Sequence, residues 1–329
     1  MSNPININNC PGTLKKGLYT YSTTALNRLF NGRKVSPILP YESPVTNVVT
    51  EELFKENKIR LSISGVQEKF SVLLEKNKLR LINAGEQGQY ILKPIPNVGT
   101  RTDQIPANEH LSMQIARQVF GIETAENGLV FFKNGDPAYI TKRFDVQEDG
   151  TKLAVEDFAT LAGRTPQTHG TDFKYSGNYL QLFELLKKYV PAYPIEAIKL
   201  FKLLLFNYLI SNGDAHFKNF SLIETALGDF KLSPAYDLLN SRIHIEERDF
   251  ALEDGLLPID KSRGKVTEQF FQLAALAGIS KKQYEKAFKS LTSNQDKVLS
   301  LIELSYLDEK TKRNYLQGYQ TRLKKLLRD

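Results

Sequence analysis

The sequence predicts a two-lobed α+β fold, with a strand-rich N-terminal lobe followed by a mainly helical C-terminal lobe. Three observations point to it. Between residues 58 and 144, short runs rich in β-branched and aromatic residues alternate with Gly and Asn punctuation. After Asp145 apolar residues recur at helical spacing over long stretches. One strand–turn–strand segment around Gly228 interrupts those helices. The expected division is 1–57 as an N-terminal extension, 58–145 as the strand-rich lobe and 146–329 as the helical lobe. A cleft between two such lobes is a common place for a ligand.

The elements follow in chain order. Residues 1–57 are rich in Asn, Pro and Ser and weakly periodic, so an irregular extension with a short helix near 22–30 is expected. LSISGVQEKFSVLLE reads as strand, tight polar turn, strand, and KLRLI and QYILKP continue the pattern. PANEHLSMQIARQVFG reads as a helix, with Pro106 suited to its first turn, Gly121 closing it, and Leu111, Ile115 and Val119 on one apolar face. GLVFF and PAYITKRF return to strands. AVEDFATLAG, NYLQLFELLKKY and PIEAIKLFKLLLFNYLISNG are expected as helices. FSLIE and FKLS are short strands about Gly228. From about Val266 helices resume, and the last, near 310–327, has a basic polar side that reads as a solvated face.

Composition narrows the class. The chain is 41% apolar and 25% charged, which suits a soluble globular protein and excludes wholesale disorder. A net charge of +7 fits a protein that handles polyphosphates or acidic partners, nucleic acid included. No helix-turn-helix or zinc-finger pattern supports direct base readout. The single cysteine, Cys10, excludes an internal disulfide and a cysteine-based zinc site. The first residues lack the apolar core of a signal peptide, and the most apolar stretch, 200–210, is too short to span a bilayer. A cytoplasmic protein without membrane association is expected.

Transfer of a phosphoryl group needs a base for the hydroxyl, a divalent metal on the phosphates and a cation for the remaining charge. In SNGDAHFKN, Asp214 and Asn219 have the D-x-x-x-x-N spacing of the protein-kinase catalytic loop, which lets the Asp face the hydroxyl while the Asn reaches the metal. Lys218 lies beside Asn219 to steady the moving group, and His216 is mid-loop. Asp237 follows the short hairpin, where a carboxylate can bridge magnesium to the phosphates; the alternative is a helix N-cap. Lys93 ends the strand QYILK, aimed at the α- and β-phosphates, with Glu109 sixteen residues on as an ion-pair partner; the alternative is two exposed charges. Ser62, Ser64, Gly65, Gln67 and Lys69 form a polar turn able to hold anionic oxygens, although it is neither G-x-G-x-x-G nor a Walker A loop. Lys142, Arg143 and Phe144 lie where the lobes join and could pair with and pack on adenine.

Taken in order, ISGVQEK, YILKP, NEH, TKRFD, VEDF, NGDAHFKN and LSPAYD resemble the HipA-like kinases, the bacterial toxin kinases of toxin–antitoxin systems. The resemblance covers about residues 58–240 and looks like the short form, similar to the HipT and CtkA-type kinases. It implies a protein-kinase-like fold and an ATP- and Mg2+-dependent protein Ser/Thr kinase. Asp214 would be the base, and Asn219 and Asp237 the magnesium ligands. Ser64, Gly65, Val66, Gln67, Glu68, Lys69 and Lys93 would contact the ATP phosphates. Lys142, Arg143 and Phe144 would form the hinge, with His216 near the nucleotide. Ser62 or Ser64 would be the autophosphorylated serine. It also implies a protein substrate, with aminoacyl-tRNA synthetases as precedent, and a small antitoxin partner that binds DNA. The competing classes are a DNA-associated transcriptional regulator acting with such a partner and a small-molecule kinase.

Overall fold

A computed structural model describes residues 6–44, 68–97, 99–246 and 248–328. The N-terminal lobe is built on a five-stranded antiparallel sheet in the order β2-β1-β3-β5-β4. Its strands are β1 (Phe70–Glu75), β2 (Lys78–Leu81), β3 (Tyr90–Lys93), β4 (Asn127–Phe131) and β5 (Pro137–Lys142). β1 and β2 are joined by Lys76 and Asn77, both at positive φ, the geometry of a two-residue hairpin turn that matches strand twist. The strand expected over the first half of LSISGVQEKFSVLLE lies outside the described residues.

Both faces of this sheet are covered, so its strands read as nearly continuous apolar runs. On one face lie the side chains of the N-terminal segment. α1 (Thr23–Phe30) starts where the Ser22 hydroxyl accepts from the Ala25 amide at 3.1 Å and ends at Asn31 in the left-handed region. Tyr21, Leu29, Phe30, Val35 and Leu39 share one core with Phe70, Val72, Leu92, Val130 and Ile140. Tyr21 Oη donates to the Leu129 carbonyl at 2.6 Å, and Tyr90 Oη to that of Leu29 at 2.9 Å. Apart from α1 the described part of this segment, residues 6–44, is irregular in backbone, and it seals the sheet. Its far end reaches the C-terminal lobe, where Asn9 Nδ2 donates to Leu304 O at 2.8 Å.

On the other face lies α2 (Ile105–Gln118). Pro106 occupies its first turn, and Gly121, at φ 62°, reverses the chain just beyond it. Leu111 and Ile115 are buried as its apolar face requires, but so are Asn108, Glu109, His110, Ser112 and Gln114. Burial of so many polar groups is tolerable because most are paired. Gln114 bonds Asn127 at 2.9 Å, Ser112 bonds Tyr315 Oη at 2.9 Å, and Asn108 bonds the Asn240 carbonyl at 2.9 Å. The last two partners belong to the C-terminal lobe.

That lobe holds a small sheet, order β6-β7-β8, of β6 (Val155–Asp157), β7 (Ser221–Glu224) and β8 (Phe230–Leu232). The segment AVEDFATLAG is therefore not one helix. Val155 and Glu156 pair with Ile223 and Leu222, and Asp157 then caps the four-residue α3 (Phe158–Leu161), accepting from Thr160 N at 2.9 Å. Local propensity yields here to the strand pairing. After the short α4 (Pro166–His169), α5 (Leu180–Tyr189) and the long α6 (Tyr193–Leu209) form the helical core. α7 (Val266–Leu276), α8 (Lys281–Thr292), α9 (Gln295–Leu304) and α10 (Glu309–Arg328) complete it. α10 exposes Arg313, Lys324, Lys325 and Arg328, but Arg322 is fully buried, bonded to Asp249 and the Arg248 carbonyl. Among the described residues no helix is long and apolar enough to cross a membrane.

Two buried histidines give the fold a pH dependence. Burial holds His110 down at about 3 and His216 at about 4, so both are neutral in the fold. The unfolded chain takes up protons below the ordinary value near 6.5 while the fold does not. Stability is therefore lost as pH falls from about 6.5 toward 4, by roughly 2 kcal/mol per histidine at pH 5. Urea denaturation at pH 7.5 and 5.0 is expected to show this drop, with a smaller one in His110→Gln. An equal drop in the variant would remove His110 from the account.

Candidate functional site

The long helix α6 delivers the loop that carries Asp214. Asn207 and Asn212, both buried, lock its exit: Asn212 N donates to Asn207 O and Asn212 Nδ2 to Asn207 Oδ1, each at 2.9 Å. Gly213 follows, its amide donating to Ser241 Oγ at 2.7 Å, where a Cβ would press within 3.3 Å of the Arg248 carbonyl. The next turn folds on itself, with His216 N donating to Asn219 Oδ1 at 3.1 Å. The D-x-x-x-x-N spacing thus closes into a small polar loop whose two ends face one cleft.

Asp237 enters from the other side of β8. The chain between them is stitched to the N-terminal lobe: Ala125 N donates to Ala235 O at 2.9 Å and Ala235 N to Glu123 O at 2.8 Å. No helix starts at Leu238, the next one being a single 3-10 turn capped by Asn240, which excludes the N-cap alternative; the φ of Asp237 is 54°, a left-handed conformation that Asp adopts more readily than most residues. Such conformations persist when the surroundings over-determine them. Here Lys93 bonds Oδ1, and Lys69 lies 3.5 Å from Oδ2. Asn219 Nδ2 lies 3.5 Å from Oδ2.

Lys93 and Glu109 are a buried pair rather than two surface charges. Their side chains are 4% and 3% exposed, and Nζ lies 2.7 Å from Oε1. Burial alone would lower the Lys93 ammonium, but Asp237 and Glu109 outweigh it and hold the lysine above its ordinary value. Burial likewise opposes ionisation of Asp237, yet Lys69 and Lys93 win and keep its carboxyl well below the usual range. Burial raises Glu109 against the pull of Lys93. One ammonium therefore bridges two carboxylates, and Asp237 is held ionised.

These groups line a cleft of about 520 Å3, within the range of small-molecule sites. From the residues singled out in the sequence, Lys69, Lys93, Glu109, Asp214, His216, Asn219 and Asp237 meet there. Burial lowers His216, with Asp214 opposing, and its Nδ1 has no hydrogen-bond partner among the described residues. Four others point elsewhere or lie at the rim. Lys218 pairs with Asp157 at 3.0 Å, Lys142 Nζ donates to Asn31 Oδ1 at 2.6 Å, and Arg143 pairs with Asp145 at 2.5 Å. Phe144 rests against Tyr236, with ring centroids 5.9 Å apart. The amides of Lys142 and Arg143 are committed to the Glu126 and Gln89 carbonyls. Glu68 is half-buried beside Lys69. Ser62, Ser64, Gly65, Val66 and Gln67 lie outside the described residues.

Several cleft residues have no counterpart in the sequence reading. Thr171, Asp172, Lys174 and Tyr175, from the loop before α5, line the cleft, and so do Ser241 and His244. Asn108 Nδ2 lies 2.8 Å from His244 Nε2, and Asn108 Oδ1 accepts from Asn240 N at 3.0 Å, which ties the helix bearing Glu109 to the segment bearing Asp237. TDFKYSG carries no recognisable motif, so only the tertiary fold reveals it.

Oxygen donors next to an anionic carboxylate fit a hard divalent cation. Magnesium binds through one or two protein ligands plus substrate phosphates rather than an all-protein cage. Asp237, charge-balanced by two ammonium groups, would supply one such ligand, and Asn219 a second through Oδ1, which accepts from the His216 amide while Nδ2 faces Asp237; no group of three or more candidate ligands occurs among the described residues.

A family model described as the HipA-like C-terminal domain matches residues 61–299. A Sinorhizobium fredii protein named "Putative kinase Y4dM" is 33% identical over 243 residues, covering 69% of this chain and 56% of its own. A Haemophilus influenzae protein named "Putative kinase" is 28% identical over 235 residues, covering 69% of this chain and 66% of its own. The chain thus spans less than two thirds of the length of these relatives. In shape it is similar to Shewanella oneidensis HipA, solved with HipB and its operator DNA (TM-score 0.60, 20% identity, 82% of this chain and 64% of that one). It is also similar to the Helicobacter pylori proinflammatory kinase CtkA (TM-score 0.53, 12% identity, 82% and 96%). The two-lobed α+β architecture is shared with both.

Proposed function

This chain belongs to the HipA-like C-terminal domain family, and from that premise we propose that it is an ATP- and magnesium-dependent protein Ser/Thr kinase with Asp214 as its base. The observation that carries the reading is the convergence of Asp214, Asn219, Asp237 and the Lys93–Glu109 pair on one cleft between the lobes. Asp237 and Asn219 would hold magnesium, which when bound neutralises charge on the phosphates. Lys93 and Lys69 supply fixed positive charge beside them. Asp214 accepts the proton of the acceptor hydroxyl as its oxygen bonds phosphorus, and the bond to ADP breaks. Placement and charge therefore do most of the catalytic work, as phosphoryl transfer requires. His216, held neutral by burial, lines the cleft and suits the nucleotide side.

The test is incubation with radiolabelled ATP and Mg2+, following label into protein, small molecules and the chain itself. Label in protein hydroxyls supports the reading, and label in a small molecule alone would replace it with the small-molecule kinase. By likeness to the HipA–HipB–DNA assembly, a small DNA-binding partner is part of the proposal. Salt-dependent DNA binding by the isolated chain, without phosphoryl transfer, would favour the regulator instead.

Autophosphorylation is proposed at Ser62 or Ser64. A phosphoserine adds close to two negative charges, and in a phosphate-covering turn it repels ATP. Ser62→Asp and Ser64→Asp are expected to weaken ATP binding about tenfold, the size of one like-charge contact. Calorimetric titration with ATP reads this directly, and unchanged affinity in both variants removes the idea.

A further inference from the structure

Asp214 does not stand alone on its loop. Tyr175 Oη donates to Asp214 Oδ1 at 2.6 Å, while Oδ2 has no hydrogen-bond partner among the described residues. The tyrosine is itself held from both flanks. Phe217 N donates to Lys174 O at 3.1 Å, Glu253 N to Tyr175 O at 3.0 Å, and Tyr179 Oη to Ala215 O at 2.7 Å. The Tyr175 and His216 rings meet in a T-shaped contact with centroids 5.1 Å apart. The loop before α5 is thus sewn to the catalytic loop at Ala215 and Phe217, just beyond the carboxylate. One oxygen of Asp214 is anchored, and the other is left for the acceptor hydroxyl.

We propose that Tyr175 is a positioning residue that fixes the Asp214 carboxylate so that Oδ2 receives the acceptor proton, an inference that rests on the kinase reading above. A free carboxylate rotates about χ2 and spends its time in orientations that miss the hydroxyl. A donor of fixed place on Oδ1 removes that freedom before the substrate arrives, which is how supporting residues make a site precise. The Tyr175 hydroxyl bonds Asp214 and none of Asp237, Asn219 and Lys93, so loss of that hydroxyl with the ring kept in place falls on transfer rather than on nucleotide binding.

The experiment compares the full chain with Tyr175→Phe, which loses one hydroxyl and keeps the ring packed on His216. The expected result is a fall in kcat of about 10- to 100-fold, the scale of a misplaced catalytic group, with KM for ATP within about twofold of wild type. The thermal midpoint is expected to stay unchanged. An unaltered kcat overturns the proposal, and so does a slower rate matched by an equal loss of ATP affinity or a lowered midpoint, which marks a structural role. An inactive wild-type chain removes the kinase reading and this inference with it. An active wild type with an equally active Tyr175→Phe removes this inference alone.

Discussion

Asp214→Asn is expected to lower phosphoryl transfer by about 10²- to 10⁴-fold while ATP still binds, the range for losing a positioned general base. The substitution is close to isosteric. Its amide oxygen can still accept from Tyr175, and the loop contacts to Asn212 and Ser241 are made by the backbone amides of Asp214 and Gly213, which the substitution keeps. What disappears is a group that can take the acceptor proton. Single-turnover transfer of radiolabel and calorimetric ATP binding, measured on the same preparation, separate the two effects. A variant that transfers at the wild-type rate would remove Asp214 from the mechanism.

The second large effect belongs to Lys93→Met. It takes away the ammonium shared by Glu109 and Asp237, and Glu109 is 3% exposed. Breaking a buried pair by removing one partner typically costs about 3–5 kcal/mol, because the remaining charge must be protonated or left uncompensated. Transfer should fall by at least about 10²-fold as a fixed cation on the phosphates is lost. Lys93→Met/Glu109→Leu is expected to recover most of the stability, since replacing both partners by apolar groups is often neutral or better. It should recover none of the activity. Urea denaturation and the transfer assay together decide; a double variant that regains transfer would show the pair to be scaffolding only.

Much of this site could be read from the chain because each piece is tied to a local element. Lys93 ends a strand whose residues signal it, and Asp214 and Asn219 share one turn at a spacing set by geometry. Asp237 sits just past a hairpin that Gly228 marks. Where long-range contacts decide, the sequence carries less. Glu109 is indistinguishable from a surface charge until α2 is packed between the sheet and the other lobe. Lys218, adjacent to Asn219, turns to Asp157 because β6 pairs with β7 and brings that carboxylate within 3.0 Å. Residues 6–44 lack periodicity because they cover the sheet with scattered side chains rather than a regular face. Tyr175 is invisible for the same reason: its partner lies 39 residues away, and its own loop has no pattern.

The helix α2 is riveted at its N-terminal half and middle to the far lobe, by Asn108 to Asn240 and by Ser112 to Tyr315, while Lys93 belongs to the sheet. The C-terminal half of the same helix is bonded to the sheet, Gln114 to Asn127 at 2.9 Å, so one rod is fastened to both lobes at once. The Lys93–Glu109 ion pair therefore depends on the joint between the lobes as much as on the strand that carries the lysine.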